Sequence, residues 1–236
     1  MRILKDYYEQ KNEIIDVAQR LFYSVGYDQT TVNAIIGDAG IAKGTFCYYF
    51  KYKLDLLENM IDRMALQIMG ASKPIIDAET GAVKKLRNFY NTTVAIKIEN
   101  REMLIQWMKV MYRDENLITH HKMIQKYLEK FGSVYSRIIR QGVREGIFNT
   151  PFPDDAGELI MQLLFSMGDV FAKLFLELDE KPENLKIIET KFKIYGNALE
   201  RILGAKEGSL KLWDMGKIFE ILNQKSGPRE DKNDKN

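Results

Sequence analysis

The sequence predicts an all-α chain in two parts, a three-helix N-terminal unit and a larger helical body. Three observations carry this. Apolar residues recur at helical spacing almost throughout, and strand alternation is absent. Glycines stop the early helices at short intervals. A chain of 236 residues with 45% apolar content is long enough to fill two cores.

The first helix is predicted from about Tyr8 to Val25, with Ile14, Ala18, Leu21 and Val25 on one stripe and Gly26 as the stop. A second, short helix starts at Thr30-Thr31, where a hydroxyl can satisfy an orphan amide, buries Val32, Ile35 and Ile36, and ends at Ala39. Gly40 supplies the positive φ of a tight turn and Ile41 plugs the angle. A third helix runs from Ala42 or Lys43 to Phe50. Phe46 and Phe50 face inward, which leaves Lys43, Gly44, Cys47 and Tyr48 outward and Thr45 and Tyr49 on the flank. Two short helices joined by such a turn, with the first helix completing the unit, make a helix-turn-helix.

Leu54, Leu57, Ile61, Met64 and Ile68 place a fourth helix over Leu54 to Met69, joining the unit to the body, with a break expected at Ser72-Lys73-Pro74. Further helices are predicted near 82–98, 101–113, 121–143, 155–178, 183–203 and 209–224. The tail from Ser226 to Asn236 has no large apolar residue and is expected to be disordered. The expected domain limits are 1–53, 54–225 and 226–236.

The order Thr30, Thr31, Ile35, Ala39, Gly40, Ile41, Gly44, Thr45, Phe46, Tyr48, Tyr49, Phe50 and Lys53 resembles the N-terminal signature of the TetR-type family of bacterial one-component transcriptional regulators. Gly37, Cys47 and Tyr52 depart from that pattern without breaking its frame. The resemblance implies an N-terminal helix-turn-helix DNA-binding domain followed by a larger helical ligand-binding and dimerisation domain. It also implies a homodimer that binds a double-stranded operator.

Within that motif Lys43 is expected to reach a guanine edge or a phosphate, and Gly44 to let the helix N-terminus approach the DNA backbone. Thr45, Tyr49 and Lys53 are expected as phosphate clamps, and Tyr48 as the apolar contact to a thymine methyl or base edge, with partial burial against the first helix as its competing reading. Asn33 is a further base or phosphate candidate, and Thr31 at least a helix cap.

Composition narrows the mechanism. The net charge is +2, and residues 1–53 hold seven Lys or Arg against six Asp or Glu, so any DNA contact must come from local placement rather than bulk charge. The single cysteine excludes an intramolecular disulfide and suits a reducing cytoplasm; Cys47 reads as an inert small residue rather than a redox switch. No stretch approaches the roughly 18 apolar residues that span a bilayer, so no membrane association is expected. His120 and His121 are adjacent on a helix and point about 100° apart, so they read as a surface pair and not a metal site. There is no nucleophile elbow, phosphate loop or HExxH helix; the expectation is a non-enzyme without cofactor or metal.

In the body, soft Met and flat aromatic side chains suit an irregular apolar ligand, though such stripes are more often plain core. Met64, Trp107, Met108, Met111, Tyr112, Tyr127, Phe131 and Phe165 are the candidate lining. The segment Leu159 to Leu178 is apolar nearly all round and must be covered on both sides, with Phe165 and Leu174 as test positions; pairing with a second copy is the reading preferred over a plain core helix. The expected function is a ligand-responsive repressor, released from a palindromic operator when a small apolar molecule enters the body. The alternative is a helical ligand-binding or scaffold protein that has lost operator recognition.

Overall fold

A computed structural model describes residues 2–98, 105, 108–214, 216 and 218. Among them the order is α1 (Arg2–Ser24), α2 (Val32–Ala39), α3 (Lys43–Tyr49), α4 (Lys53–Asp77), α5 (Ala82–Ile98), a 3-10 turn (Asp114–Asn116), α6 (Leu117–Arg144), α7 (Ala156–Leu176) and α8 (Asn184–Leu203), with no strand. One apolar core runs without interruption from Ile14, Ala18, Phe22, Ile35, Phe46 and Phe50 in the head, through Leu57, Ile61 and Ile68 of α4, to Phe131, Ile138 and Ile160 in the body. Helix α4 packs on α1, α5 and α6, so it is a wall of both parts. Helices α6, α7 and α8 pack in series, and Met167, Ile188 and Phe192 form a second, smaller core between the last two.

Four expectations change. The helix does not break at Pro74: α4 continues through it to Asp77. Proline removes the amide that would serve the Gly70 carbonyl, but Gly70 is exposed, where water can serve it, and only one turn follows. Buried Ser72 and Ile76 pin that turn, and the Lys73–Asp77 ion pair at 2.7 Å closes it. Residues 209–214 are not helical; Leu210 and Leu212 turn inward and make this stretch a strap across the body. Helix α1 begins well before Tyr8, at Arg2. Helix α7 is, by length and composition, apolar enough to cross a membrane, contrary to expectation. It nevertheless carries Glu158, Asp169 and Lys173, and lays Ile160, Met161 and Met167 against its neighbours. Of the expected helix at 101–113, residues 105 and 108–111 are helical and 112–113 are not, while its remaining residues and the whole expected tail fall outside the described residues.

Candidate nucleic-acid interface and ligand cavity

The head is built as its sequence dictates. The Ala34 amide donates to Thr31 Oγ1 at 3.1 Å, capping α2. Gly40 sits at φ 62, a left-handed turn that a side chain would strain, and its amide reaches the Gly37 carbonyl. The buried Phe46 and Phe50 rings, 5.7 Å apart, fix the rotation of α3. That rotation leaves Lys43, Gly44, Cys47 and Tyr48 exposed, Tyr48 to 71%, with Asn33 exposed on α2 and Thr45 half-buried. Tyr48 thus stays largely open, touching the first helix only at its edge.

Two expected phosphate clamps are held inside the head. Lys53 Nζ donates to the Tyr27 and Thr30 carbonyls at 2.7 and 2.9 Å and lies 4.2 Å from the Tyr27 ring centroid. Burial draws its pKa below the ordinary lysine value, against the opposing pull of Asp28. Its ammonium is thus a clip on the α1–α2 loop, because the motif puts a cation where the carbonyls of Tyr27, Asp28 and Thr30 converge. Tyr49 donates to Gln10 Oε1 at 2.8 Å, and its ring lies 4.8 Å from Tyr7. Tyr7 also meets Tyr48 at 5.8 Å, so the start of α1 braces the exposed face of α3. Sequence reasoning missed Tyr7, although it stands seven residues before Ile14 on the same buried stripe.

A cavity of about 1860 Å³ lies between α1, α4, α5, α6, α7 and the strap. Met64, Met108, Tyr112, Tyr127, Phe131 and Phe165 line it. Met111 does not; it is 1% exposed and packs in the main core. Trp107 lies outside the described residues. Tyr127 stacks on Phe131 at 5.9 Å and donates its hydroxyl to Met64 Sδ at 2.8 Å, tying α6 to α4 across the cavity. Burial pushes the Tyr127 phenol well above the usual range.

Polar groups interrupt this apolar wall at separate stations. Tyr112 donates to Asp169 Oδ1 at 2.7 Å, and His120 Nε2 stands 3.7 Å from the same oxygen. Burial, then the Asp169 bond and charge, keep the Tyr112 phenol protonated. His120 is half-buried on this wall and only His121 is on the surface, which corrects the surface-pair expectation. Among the described residues no group of His, Cys, Asp and Glu could hold a metal. At the head end of the wall, Arg63 on α4 pairs with Asp16 at 2.7 Å and donates to Gln19 Oε1 at 2.8 Å, both on α1. These stations join residues from distant elements, which no local pattern announces.

A helix-turn-helix with an outward, cation-bearing second helix, set on a helical body with an apolar cavity, defines a ligand-binding DNA-binding protein. Two family models extend this: "Bacterial regulatory proteins, tetR family" matches residues 14–60, and "Tetracyclin repressor-like, C-terminal domain" matches residues 95–176. The chain belongs to the TetR family of bacterial transcriptional regulators. It is 23% identical over 159 residues to the HTH-type transcriptional repressor KstR2 of Mycolicibacterium smegmatis, covering 66% of this chain and 74% of that protein. A TetR-family regulator from Syntrophomonas wolfei shares the fold at a TM-score of 0.57 and 20% identity, covering 82% of this chain and 96% of that one. The regulator FadR from Bacillus subtilis, solved in complex with stearoyl-CoA, matches at a TM-score of 0.56 and 20% identity over 78% of this chain and 96% of that one. Regulators of this family are soluble, generally non-enzymatic DNA-binding proteins that respond to small molecules and usually dimerise.

Proposed function

We propose that this chain is a homodimeric repressor that leaves a palindromic operator when a molecule with a mainly apolar body fills the cavity. One observation carries the reading: the cavity wall includes α1 of the head, through Asn12, Asp16 and Gln19, as well as α4 and the body helices. A molecule lodged there touches the head's own support. It favours whichever head position it binds more tightly, and operator affinity falls by that difference. Relatives that bind a large acyl thioester or act as repressors support the direction.

For DNA contact the exposed set is Lys43, Gly44, Tyr48 and Asn33, with Thr45 at the edge and Thr31 as the cap. Lys53 and Tyr49 position that set from within. For assembly, the outward apolar residues of α7 and α8 are Leu159, Ile187 and Ile194, 49%, 40% and 54% exposed in the single chain. Ile187 and Ile194 lie seven apart on one stripe, which suits a four-helix interface with a second copy. Phe165 and Leu174, the residues first expected to need a partner, pack inward instead, Phe165 on the main core and Leu174 on the smaller one.

The test is enrichment of bound duplexes from random DNA, followed by footprinting. The expected product is a palindrome with half-sites about 10 base pairs apart or a multiple of that. Recovery of no sequence preference, together with high-affinity binding of apolar ligands, would instead support the ligand-binding protein without operator recognition.

A further inference from the structure

The charges on the cavity wall are unevenly matched. Each of its acids already faces a donor: Asp16 meets Arg63 at 2.7 Å, Asp169 meets Tyr112 at 2.7 Å, and Asp214 accepts from the Gly216 amide at 2.9 Å. Two of its cations face no acid. Among the described residues no carboxylate stands within ion-pair distance of Arg87 or Lys211.

Their surroundings hold them in place. Arg87, on α5, donates through Nη2 to the Leu210 carbonyl at 2.9 Å, while its Nε is buried without any partner. Lys211 is the next residue along the strap, and it alone among the described non-glycine residues has a positive φ, 42°. Leu210 and Leu212 on either side of it are buried, so the strap pins Lys211 between two anchors with its side chain exposed. Glu200, the acid nearest in the hydrogen-bond network, spends both oxygens on the strap's backbone, accepting from the Gly208 and Leu210 amides at 2.9 and 3.1 Å. A half-buried guanidinium with an orphaned N–H gains most from an anionic oxygen acceptor, and its planar fork suits a carboxylate. Strained backbone that a fold maintains is a mark of function. Beside this corner Trp213 packs on Tyr90 and Phe192 at 6.0 and 5.3 Å, and the wall continues as the apolar surface of Tyr127, Phe131 and Phe165.

We propose that Arg87 and Lys211 form an anion subsite of the cavity, and that the effector is an amphipathic carboxylate whose apolar body lies along the aromatic wall. This deepens the effector reading above and rests on it. The head end of the cavity cannot serve the same purpose, because Arg63 there is already occupied by Asp16 and Gln19.

The test uses the full chain, calorimetry and three probes that share one tail: decanoate, decan-1-ol and decyltrimethylammonium. Decanoate binds at least about tenfold more tightly than the alcohol, and the cation binds weakest. Arg87→Met lowers decanoate affinity about tenfold or more and decanol affinity much less, so that the preference for the acid collapses; Arg87→Lys keeps part of the preference, and Lys211→Ala loses a smaller part. Unchanged helix content by circular dichroism shows that the variant is folded, and the comparison of probes on the unaltered protein stands without any variant. Equal affinity for decanoate and the alcohol, or an Arg87→Met protein that still prefers decanoate fully, overturns the anion subsite and leaves the cavity reading intact. Failure of every probe to bind overturns both.

Discussion

Replacing Arg63 with methionine removes the polar bridge between head and body while keeping an apolar stem on the cavity wall. The guanidinium makes an ion pair with Asp16 at 2.7 Å, a hydrogen bond to Gln19 Oε1 at 2.8 Å and a longer one to the Asn12 carbonyl at 3.4 Å. The Asp16 side chain is 67% exposed, so solvent screens that pair to well under 1 kcal/mol, within the range of about 0–1 kcal/mol for surface pairs. The bond to Gln19 is charge-assisted and half-sheltered and adds about 1 kcal/mol. A total of about 1–2 kcal/mol corresponds to a factor of about 5–30 in the population with the head held in one position. The operator needs both heads at one spacing, so Arg63→Met is expected to bind it about 5–30-fold more weakly. Its further loss on adding effector should shrink, because the heads are already released. Fluorescence anisotropy with a labelled operator, with and without effector, measures both quantities. An Arg63→Met protein with unaltered operator affinity and unaltered effector release would refute Arg63 as the bridge.

Lys43→Ala and Tyr48→Ala should each cost about 1–3 kcal/mol of operator binding with helix content unchanged, measured by anisotropy and circular dichroism; the Lys43 variant should also show a shallower salt dependence. Ile194→Glu, alone or with Leu159→Glu, should shift the protein to monomer by analytical ultracentrifugation, whereas a stable dimer would move the interface off α7 and α8. Stability should fall in alkali. Burial raises the Tyr23 phenol to about 12 from an ordinary 10.0, despite the Gln19 hydrogen bond and Arg63 charge that lower it, and burial raises Tyr90, Tyr112, Tyr127 and Tyr135 further still. Below pH 10 folded and unfolded chains both keep these protons and stability is whole. Above it only the unfolded chain loses them, so urea stability should drop by up to about 1.4 kcal/mol per pH unit per tyrosine; a flat profile from pH 9 to 11.5 would contradict their burial.

The head was legible in the sequence because its constraints are local. Thr31 caps an amide three residues on, Gly40 satisfies a dihedral angle, and Phe46 and Phe50 are four apart on one helix. The internal role of Lys53 is not legible for the same reason: its position in the motif is local, but the three carbonyls it binds belong to residues 27, 28 and 30, and only the packed α1–α2 loop brings them together. In the body, spacing located Met64, Tyr127, Phe131 and Phe165 on inward faces, and could not tell cavity wall from core, so Met111 was placed with them. The Tyr112–His120–Asp169 station and the Arg87–Leu210 bond span 57 and 123 residues of sequence, and no periodicity reports such pairs. Pro74 shows the limit of a single-residue rule, since the carbonyl it leaves unserved, on Gly70, is exposed to water and the burial of Ile76 holds the last turn.

In the proposed mechanism one molecule both grips an operator through α3 and releases it when the cavity fills. Its most direct measurement is operator affinity as a function of decanoate concentration, for the unaltered protein and for a cavity-filling variant such as Phe131→Trp. The expected affinity falls with added ligand to a plateau, by a coupling of about 1–3 kcal/mol, and the variant holds DNA but responds less. An operator affinity unchanged by any ligand shown calorimetrically to occupy the cavity would contradict it.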